Sequence, residues 1–130
     1  MASDHSSFIY VVDDDAAILH STRFLLEGEG FSVRAFGSGQ DLLDAFPGPE
    51  PRCVLLDEVM PDLPGLEVVD RLRDLDARIP VILITGHPDP DIRRRARNAR
   101  VPLMEKPFAF ETLLDMIPPH GRRRACEVRS

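Results

Sequence analysis

Apolar residues fall along the chain in short runs of two kinds. Phe8-Ile9-Tyr10-Val11-Val12, Cys53-Val54-Leu55-Leu56 and Ile79 to Ile84 are nearly continuous and rich in β-formers. That is the pattern of strands buried on both faces. Phe31 to Phe36 alternates instead, with Phe31, Val33 and Ala35 set against Ser32 and Arg34. It predicts a more exposed strand with the first three inward. Val101 to Met104 predicts a short fifth strand. Helical segments lie between. Asp15 is placed to cap a helix running to about Glu29, with Ile18, Leu19, Leu25 and Leu26 inward. Ser38 caps a short helix carrying Leu42, Leu43 and Phe46, and the Pro-rich segment 47–51 resets the chain. The loop from Glu58 to Gly65 leads into a helix with Leu66, Val69 and Leu72 on one face. His87-Pro88-Asp89-Pro90-Asp91 opens an Arg-rich helix, and Phe110 to Ile117 forms the last, stopped by Pro118-Pro119.

Strand and helix thus alternate five times with short connections. The pattern predicts an α/β domain: a doubly wound (βα)5, flavodoxin-like three-layer sandwich whose parallel sheet runs in the order 2-1-3-4-5. One domain is expected over 8–118, preceded by an extension at 1–7 and followed by a tail or start of a linker at 119–130. A formal net charge of −6 argues against direct nucleic-acid binding. No apolar run approaches the roughly 20 residues needed to span a bilayer. The N-terminus lacks the basic and apolar regions of a signal peptide, so a cytoplasmic protein is expected. Cys53 and Cys126 lie far apart in unlike settings and read as reduced thiols.

The chemistry gathers where the strands end. Strand one runs into Asp13 and Asp14, strand three into Asp57, strand four into Thr85, and strand five stops near Lys106. In the order 2-1-3-4-5, strands one and three are neighbours, and the crevice between them is where such sheets bind ligands. Taken singly, each residue has a plain reading as a helix cap, a loop acid, a strand-end hydroxyl or a surface charge. Gathered at one sheet edge, they make a site. Clustered carboxylates repel and need a cation. An oxygen-only ligand set suits a hard ion, Mg²⁺ or else Mn²⁺. Such an ion would orient phosphoryl oxygens for in-line attack by a carboxylate, with Thr85 and Lys106 left to bind the remaining oxygens. Composition sharpens the last assignment. The chain holds fifteen arginines and a single lysine, Lys106. A lone ammonium beside Pro107 suggests that a compact point charge is required there.

These residues resemble a known family. Val11-Val12-Asp13-Asp14-Asp15, Leu55-Leu56-Asp57 with Met60-Pro61 and Gly65, Ile84-Thr85-Gly86 and Lys106-Pro107-Phe108 together look like the signature of two-component response-regulator receiver domains, in the CheY-like superfamily. Ile84-Thr85-Gly86-His87 and Glu105-Lys106-Pro107-Phe108 resemble its FixJ-like branch. The resemblance implies a phosphorylation-dependent signalling switch, not an enzyme with turnover, in which Asp57 accepts a phosphoryl group from a sensor histidine kinase. It implies that Asp14, Asp57 and the backbone carbonyl of Val59 hold Mg²⁺ directly, with Asp13 acting through water. Thr85 would move towards the phosphoryl group, Lys106 would pair with it, and the bond before Pro107 would be cis. A homodimer through helix four, strand five and helix five is the partner arrangement implied beside the kinase.

Three departures from the family pattern fall on that same region. Leu103 stands at the switch position where an aromatic residue is common. Asn98-Ala99-Arg100-Val101-Pro102 is short and lacks glycine, and Pro88 and Pro90 stiffen the loop after Thr85. Arg93, Arg94, Arg95, Arg97 and Arg100 form either a solvated basic face or a docking patch for an acidic partner. Two alternatives stay open at this point. A haloacid-dehalogenase-like phosphatase could use Asp13 and Asp15 as its Asp-x-Asp motif, although Asp57 would then have no role. A pseudo-receiver would bind partners without being phosphorylated.

Overall fold

A computed structural model describes residues 8–46, 51–75 and 78–118. The expected N-terminal extension, the tail, Cys126 and most of the Pro-rich loop lie outside the described residues. Five strands, β1 (Phe8–Val12), β2 (Ser32–Phe36), β3 (Cys53–Asp57), β4 (Val81–Thr85) and β5 (Leu103–Glu105), alternate with five helices. The helices are α1 (Ala16–Gly28), α2 (Gly39–Asp44), α3 (Gly65–Leu75), α4 (Pro90–Asn98) and α5 (Phe110–Met116). The strands are parallel in the order β2-β1-β3-β4-β5, so the doubly wound fold expected from the pattern is the one observed.

Alternation along the central strands divides the core into two layers. Tyr10, Val12, Val54, Leu56, Val81 and Leu83 face one side, against Leu42 of α2, Leu66, Val69 and Leu72 of α3, and Ala96 of α4. Ile9, Val11, Cys53, Leu55 and Ile82 face the other, against Leu26 of α1 and Leu113 of α5. The period of two puts successive side chains on opposite faces. A strand covered on both sides is therefore apolar along its length, as β3 is from Cys53 to Leu56 before it ends on Asp57.

Several expectations need correction. Leu26 of α1 is fully buried, but Ile18 and Leu25 are 40% and 45% exposed. Leu19 and Leu26 form one stripe and Ile18 and Leu25 another, about 100° round the helix, and only the first points at the sheet. Ala35 is exposed because β2 is an edge strand with no neighbour on its outer side. Strands four and five each begin later than the apolar runs suggest. Pro80 and Pro102 have no N–H to enter the ladder, so each contributes only its carbonyl, to Val54 at 2.9 Å and to Leu83 at 2.9 Å.

The glycine missing after α4 has a structural counterpart. At the end of α1, Gly30 takes φ 97°, while Gly30 N–H donates to Glu27 O at 3.0 Å and Phe31 N–H to Leu26 O at 3.2 Å. This paired closure is the left-handed cap that favours glycine. Helix α4 ends with the same closure. Arg100 N–H donates to Arg97 O at 3.0 Å and Val101 N–H to Ala96 O at 2.9 Å, but the left-handed position is Arg100, at φ 60°. A side chain there is strained against the following carbonyl. Arg100→Gly should therefore stabilise the fold by a net amount of about 0.5–1 kcal/mol, the relief of strain being partly offset by the freer unfolded chain. Arg100→Ala should bring no such gain. Urea unfolding of the three proteins checks this; equal stability of the Gly and Ala variants would remove backbone strain as the cause.

Candidate functional site

The carboxyl ends of the strands converge beside the crevice between β1 and β3, where the direction of strand addition reverses. Asp13 continues β1 by one residue, its N–H donating to Phe36 O at 3.1 Å. This keeps its side chain buried, at 6% exposure. Its Oδ1 accepts the Asp15 amide at 2.9 Å. Asp15 turns away to cap α1, accepting from Ala17 at 2.9 Å and Ile18 at 3.3 Å, and Asp14 is left exposed between them. The acidic triplet thus divides into a buried carboxylate, an exposed one and a helix cap. Asp57 ends β3 and is 7% exposed. Carboxylate oxygens of Asp13, Asp14 and Asp57 lie within 4.8 Å of one another. Lys106 Nζ stands 3.7 Å from Asp57 Oδ1, brought there by the ladder bond from Lys106 N–H to Thr85 O at 2.8 Å. The peptide bond between Lys106 and Pro107 is cis. Thr85 is fully buried, and its hydroxyl oxygen accepts the His87 amide at 3.0 Å.

Burial is the largest influence on both inner carboxyls. It pushes Asp57 up, Asp13 beside it adds to the rise, and Lys106 and the Val59 amide pull the other way without prevailing. Asp13 is raised for the same reason, against the Asp15 amide and Lys106. An ammonium at 3.7 Å does not by itself relieve the crowding. The donor set is oxygen only, which suits a hard divalent cation and not zinc or copper.

Residues 9–118 match the family described as the response regulator receiver domain. The chain belongs to that family. Among curated relatives, this receiver domain is 41% identical over 110 residues to the transcriptional regulatory protein FixJ of Bradyrhizobium diazoefficiens, covering 84% of this chain and 54% of that protein. It is 38% identical over 116 residues to the response regulator protein TodT of Pseudomonas putida, covering 88% and 51%. The chain therefore spans about half the length of the curated relatives it matches. Among solved structures, a CheY-like receiver domain protein from Methanospirillum hungatei superposes with a TM-score of 0.81 at 29% identity, covering 86% of this chain and 90% of that one. Full-length FixJ from B. japonicum gives 0.78 at 38% identity, covering 90% and 57%. Relatives and fold together make the chain part of two-component, phosphorylation-dependent signalling.

Other residues singled out from the sequence lie on α4, β5 and the segment between them. Leu103 is half-buried and packs with the layer that holds α3 and α4. Arg93 lies 3.5 Å from Glu105, Arg94 pairs with Asp91, and Arg95 is 3.9 Å from Asp91. Arg97 is exposed. Arg100 borders a separate cavity of about 290 Å³ with Arg73, Arg78 and Pro102. Three of the five arginines thus face carboxylates of the same chain.

Two acidic residues escaped the sequence reading. Glu58 is 8% exposed, and its Oε1 accepts the Leu66 amide at 3.2 Å, at the start of α3. Burial raises its carboxyl, partly countered by that amide and by Arg95. The signal was the period of two: Glu58 follows Asp57, so its side chain falls on the α3 side of the sheet. Asp62 accepts the amides of Gly39 at 3.2 Å and Gln40 at 3.0 Å, a contact across 23 residues that no local pattern announces. Beside the acidic cluster, Asp13, Asp57 and Lys106 also border a cleft of about 170 Å³ completed by Ile18, Leu25, Phe108 and Phe110. The second apolar stripe of α1 is directed there.

The raised carboxyls of Asp13 and Asp57 carry a pH signature in metal-free buffer. The folded chain holds these protons more tightly than the unfolded chain. The stability they contribute is present below the ordinary carboxylate value and is lost as pH rises through the raised folded values. Asp13→Asn removes one titrating group and one neighbour of the other, so its melting temperature should fall less than wild type as pH rises from the ordinary carboxylate range to neutrality. Thermal melts at constant ionic strength measure it; parallel curves for the two proteins would contradict the assignment.

Proposed function

We propose that this domain is a phosphorylation-dependent switch in which Asp57 accepts a phosphoryl group from a sensor histidine kinase and the altered site controls a partner or output. The supporting observation is the placement of the Asp57 carboxylate, nearly buried, between Asp13 and Asp14 on one side and the Lys106 ammonium at 3.7 Å on the other. A carboxylate oxygen of Asp57 attacks phosphorus in line with the bond to a histidine nitrogen of the kinase. The O–P bond forms as the N–P bond breaks, the nitrogen keeps the electron pair, and an acyl phosphate remains on Asp57. Lys106 pairs with a phosphoryl oxygen. Thr85 turns its hydroxyl from the His87 amide towards another, drawing the β4–α4 loop with it.

Asp14, Asp57 and the carbonyl of Val59 would hold Mg²⁺, or Mn²⁺, with Asp13 reaching it through water. Val59 is exposed beside the cluster, and three crowded carboxylates need such a charge. An ion held there would neutralise charge on phosphoryl oxygens and fix their orientation. The reaction modifies the chain's own side chain, so the domain is a substrate and a switch, with no turnover of a separate substrate beyond loss of its own phosphoryl group. We assign it to the cytoplasm, and give the α4–β5–α5 face, crossed by the Arg93–Glu105 pair, to its output partner or a second copy. The phosphatase reading loses support because Asp15, its second motif acid, is committed to capping α1.

Asp57→Asn keeps the shape of the side chain and removes the nucleophile. It should abolish labelling by acetyl phosphate or a phosphorylated kinase while the protein stays folded by circular dichroism. Hydroxylamine-labile phosphate persisting on the variant at wild-type levels would overturn the proposal.

Lys106→Arg tests the single lysine. The guanidinium keeps the charge but is wider and presents its donors in a plane. In a site shared by Asp57, Thr85 and a phosphoryl group, it should impair the phosphorylated state almost as much as Lys106→Ala. Labelling rate, acyl-phosphate lifetime and phosphorylation-induced backbone NMR shifts compare the variants. An arginine variant matching wild type in all three would make the lone lysine an accident of composition.

A further inference from the structure

The loop from Glu58 to Pro64 carries Val59 and connects Asp57 to α3, so its shape decides how the acidic cluster meets a cation. Its ends are pinned by backbone. Glu58 N–H donates to Ile84 O at 2.8 Å, and Gly65 N–H returns to Glu58 O at 2.8 Å. Gly65 is so close that an added Cβ would meet Asp57 O at 2.7 Å and the Glu58 Cα at 2.8 Å. The middle of the loop is different. Val59, Pro61 and Asp62 are exposed, and Met60 and Leu63 lean on the core. The Val59 amide faces the Asp57 carboxylate, and beyond it the polar anchor is Asp62, whose two carboxylate oxygens take separate amides of α2, Gly39 at 3.2 Å and Gln40 at 3.0 Å. Gly39 is itself wedged against the loop and α3, where an added Cβ would lie 3.4 Å from Leu63 Cβ and 2.6 Å from Val68 Cγ2.

We propose that Asp62 is a positioning residue for the phosphoryl-accepting site, fixing the β3–α3 loop against α2 so that the Val59 carbonyl is held ready beside Asp57. The inference rests on the reading of the acidic cluster as a metal-dependent site. Both ends of the loop are tied by main chain, so without a tie in the middle its peptides can still rotate. A ligand atom that must be ordered at the moment of binding costs affinity, and one already ordered does not. Asp62 lies three residues from Val59 and supplies that order through a bidentate bridge to a segment 22–23 residues upstream. Burial pushes its carboxyl up, but the amides of Gln40, Gly39 and Leu63 and its own amide together hold it below the ordinary carboxylate range. The bridge is therefore made by the charged form and is intact at neutral pH.

Ser38 provides the control. Its hydroxyl accepts the Asp41 amide at 3.1 Å, so it caps the same helix through a bond that does not involve the loop. Asp62→Ala and Ser38→Ala should lower urea stability by similar amounts. Asp62→Ala alone should weaken Mg²⁺ binding by about tenfold, the lower end of what support residues around metal ligands contribute. It alone should also speed amide hydrogen exchange at Val59, Met60 and Leu63. Asp62→Asn, which keeps one carbonyl acceptor, should recover part of both. The measurements are an NMR titration with Mg²⁺ and hydrogen exchange in metal-free buffer. Wild-type Mg²⁺ affinity in Asp62→Ala, or an equal loss in Ser38→Ala, overturns the inference. A wild-type protein that fails to bind Mg²⁺ overturns the metal-site reading instead. In that event exchange still tests the positioning, and unchanged loop exchange in Asp62→Ala would end it.

Discussion

Two buried carboxylates and a third at the surface, with oxygens inside 4.8 Å, make a state that a flexible chain would avoid by moving apart or taking up protons. The rest of the fold makes both escapes difficult. Asp57 sits at the end of the strand that is buried along its whole length, and Asp13 is tied by its main chain to the neighbouring edge strand. Separating them would require pulling β1 from β3, and with it both apolar layers. The electrostatic penalty at the top of the sheet is therefore held in place by packing below it. An unrelieved charge of this kind is useful chemically, because whatever neutralises it is bound beside the Asp57 carboxylate.

The same crowding explains why the two faces of β3 end so differently. Asp57 looks towards α1 and α5, over a cleft with an apolar rim. Glu58, one residue on, looks towards α3 and meets the Leu66 amide. Adjacent acids thus serve opposite sides of the sheet, one facing the cleft and the other fastening the next helix. Lys106 borders the same cleft as Asp57, and main-chain bonds run from Glu58 to Ile84 and from Lys106 to Thr85, so β3, β4 and β5 are joined where they end.

Much of this was legible in the sequence because the decisive signals are local. The runs ending in Asp13, Asp57 and Thr85 fix strand ends by period and polarity, and a parallel βα alternation leaves few ways to order five strands. What was not legible depends on rotation and on distance. Ile18 and Leu25 are as apolar as Leu19 and Leu26, and only the seating of α1 on the sheet decides which pair is buried. Pro80 and Pro102 belong to apolar runs by composition but cannot donate to a ladder, so both strands started late. Asp62 reads as one acid in a polar loop until α2 is folded against it.

Pro102 also limits what the sheet can do at its far edge. The outermost strand, β5, is three residues long, opens after a residue without an N–H, and closes on exposed Glu105 beside Lys106. An edge so short, flanked by proline and charges, offers little template for a strand from another molecule. At this edge, then, the early termination of one strand discourages the addition of another.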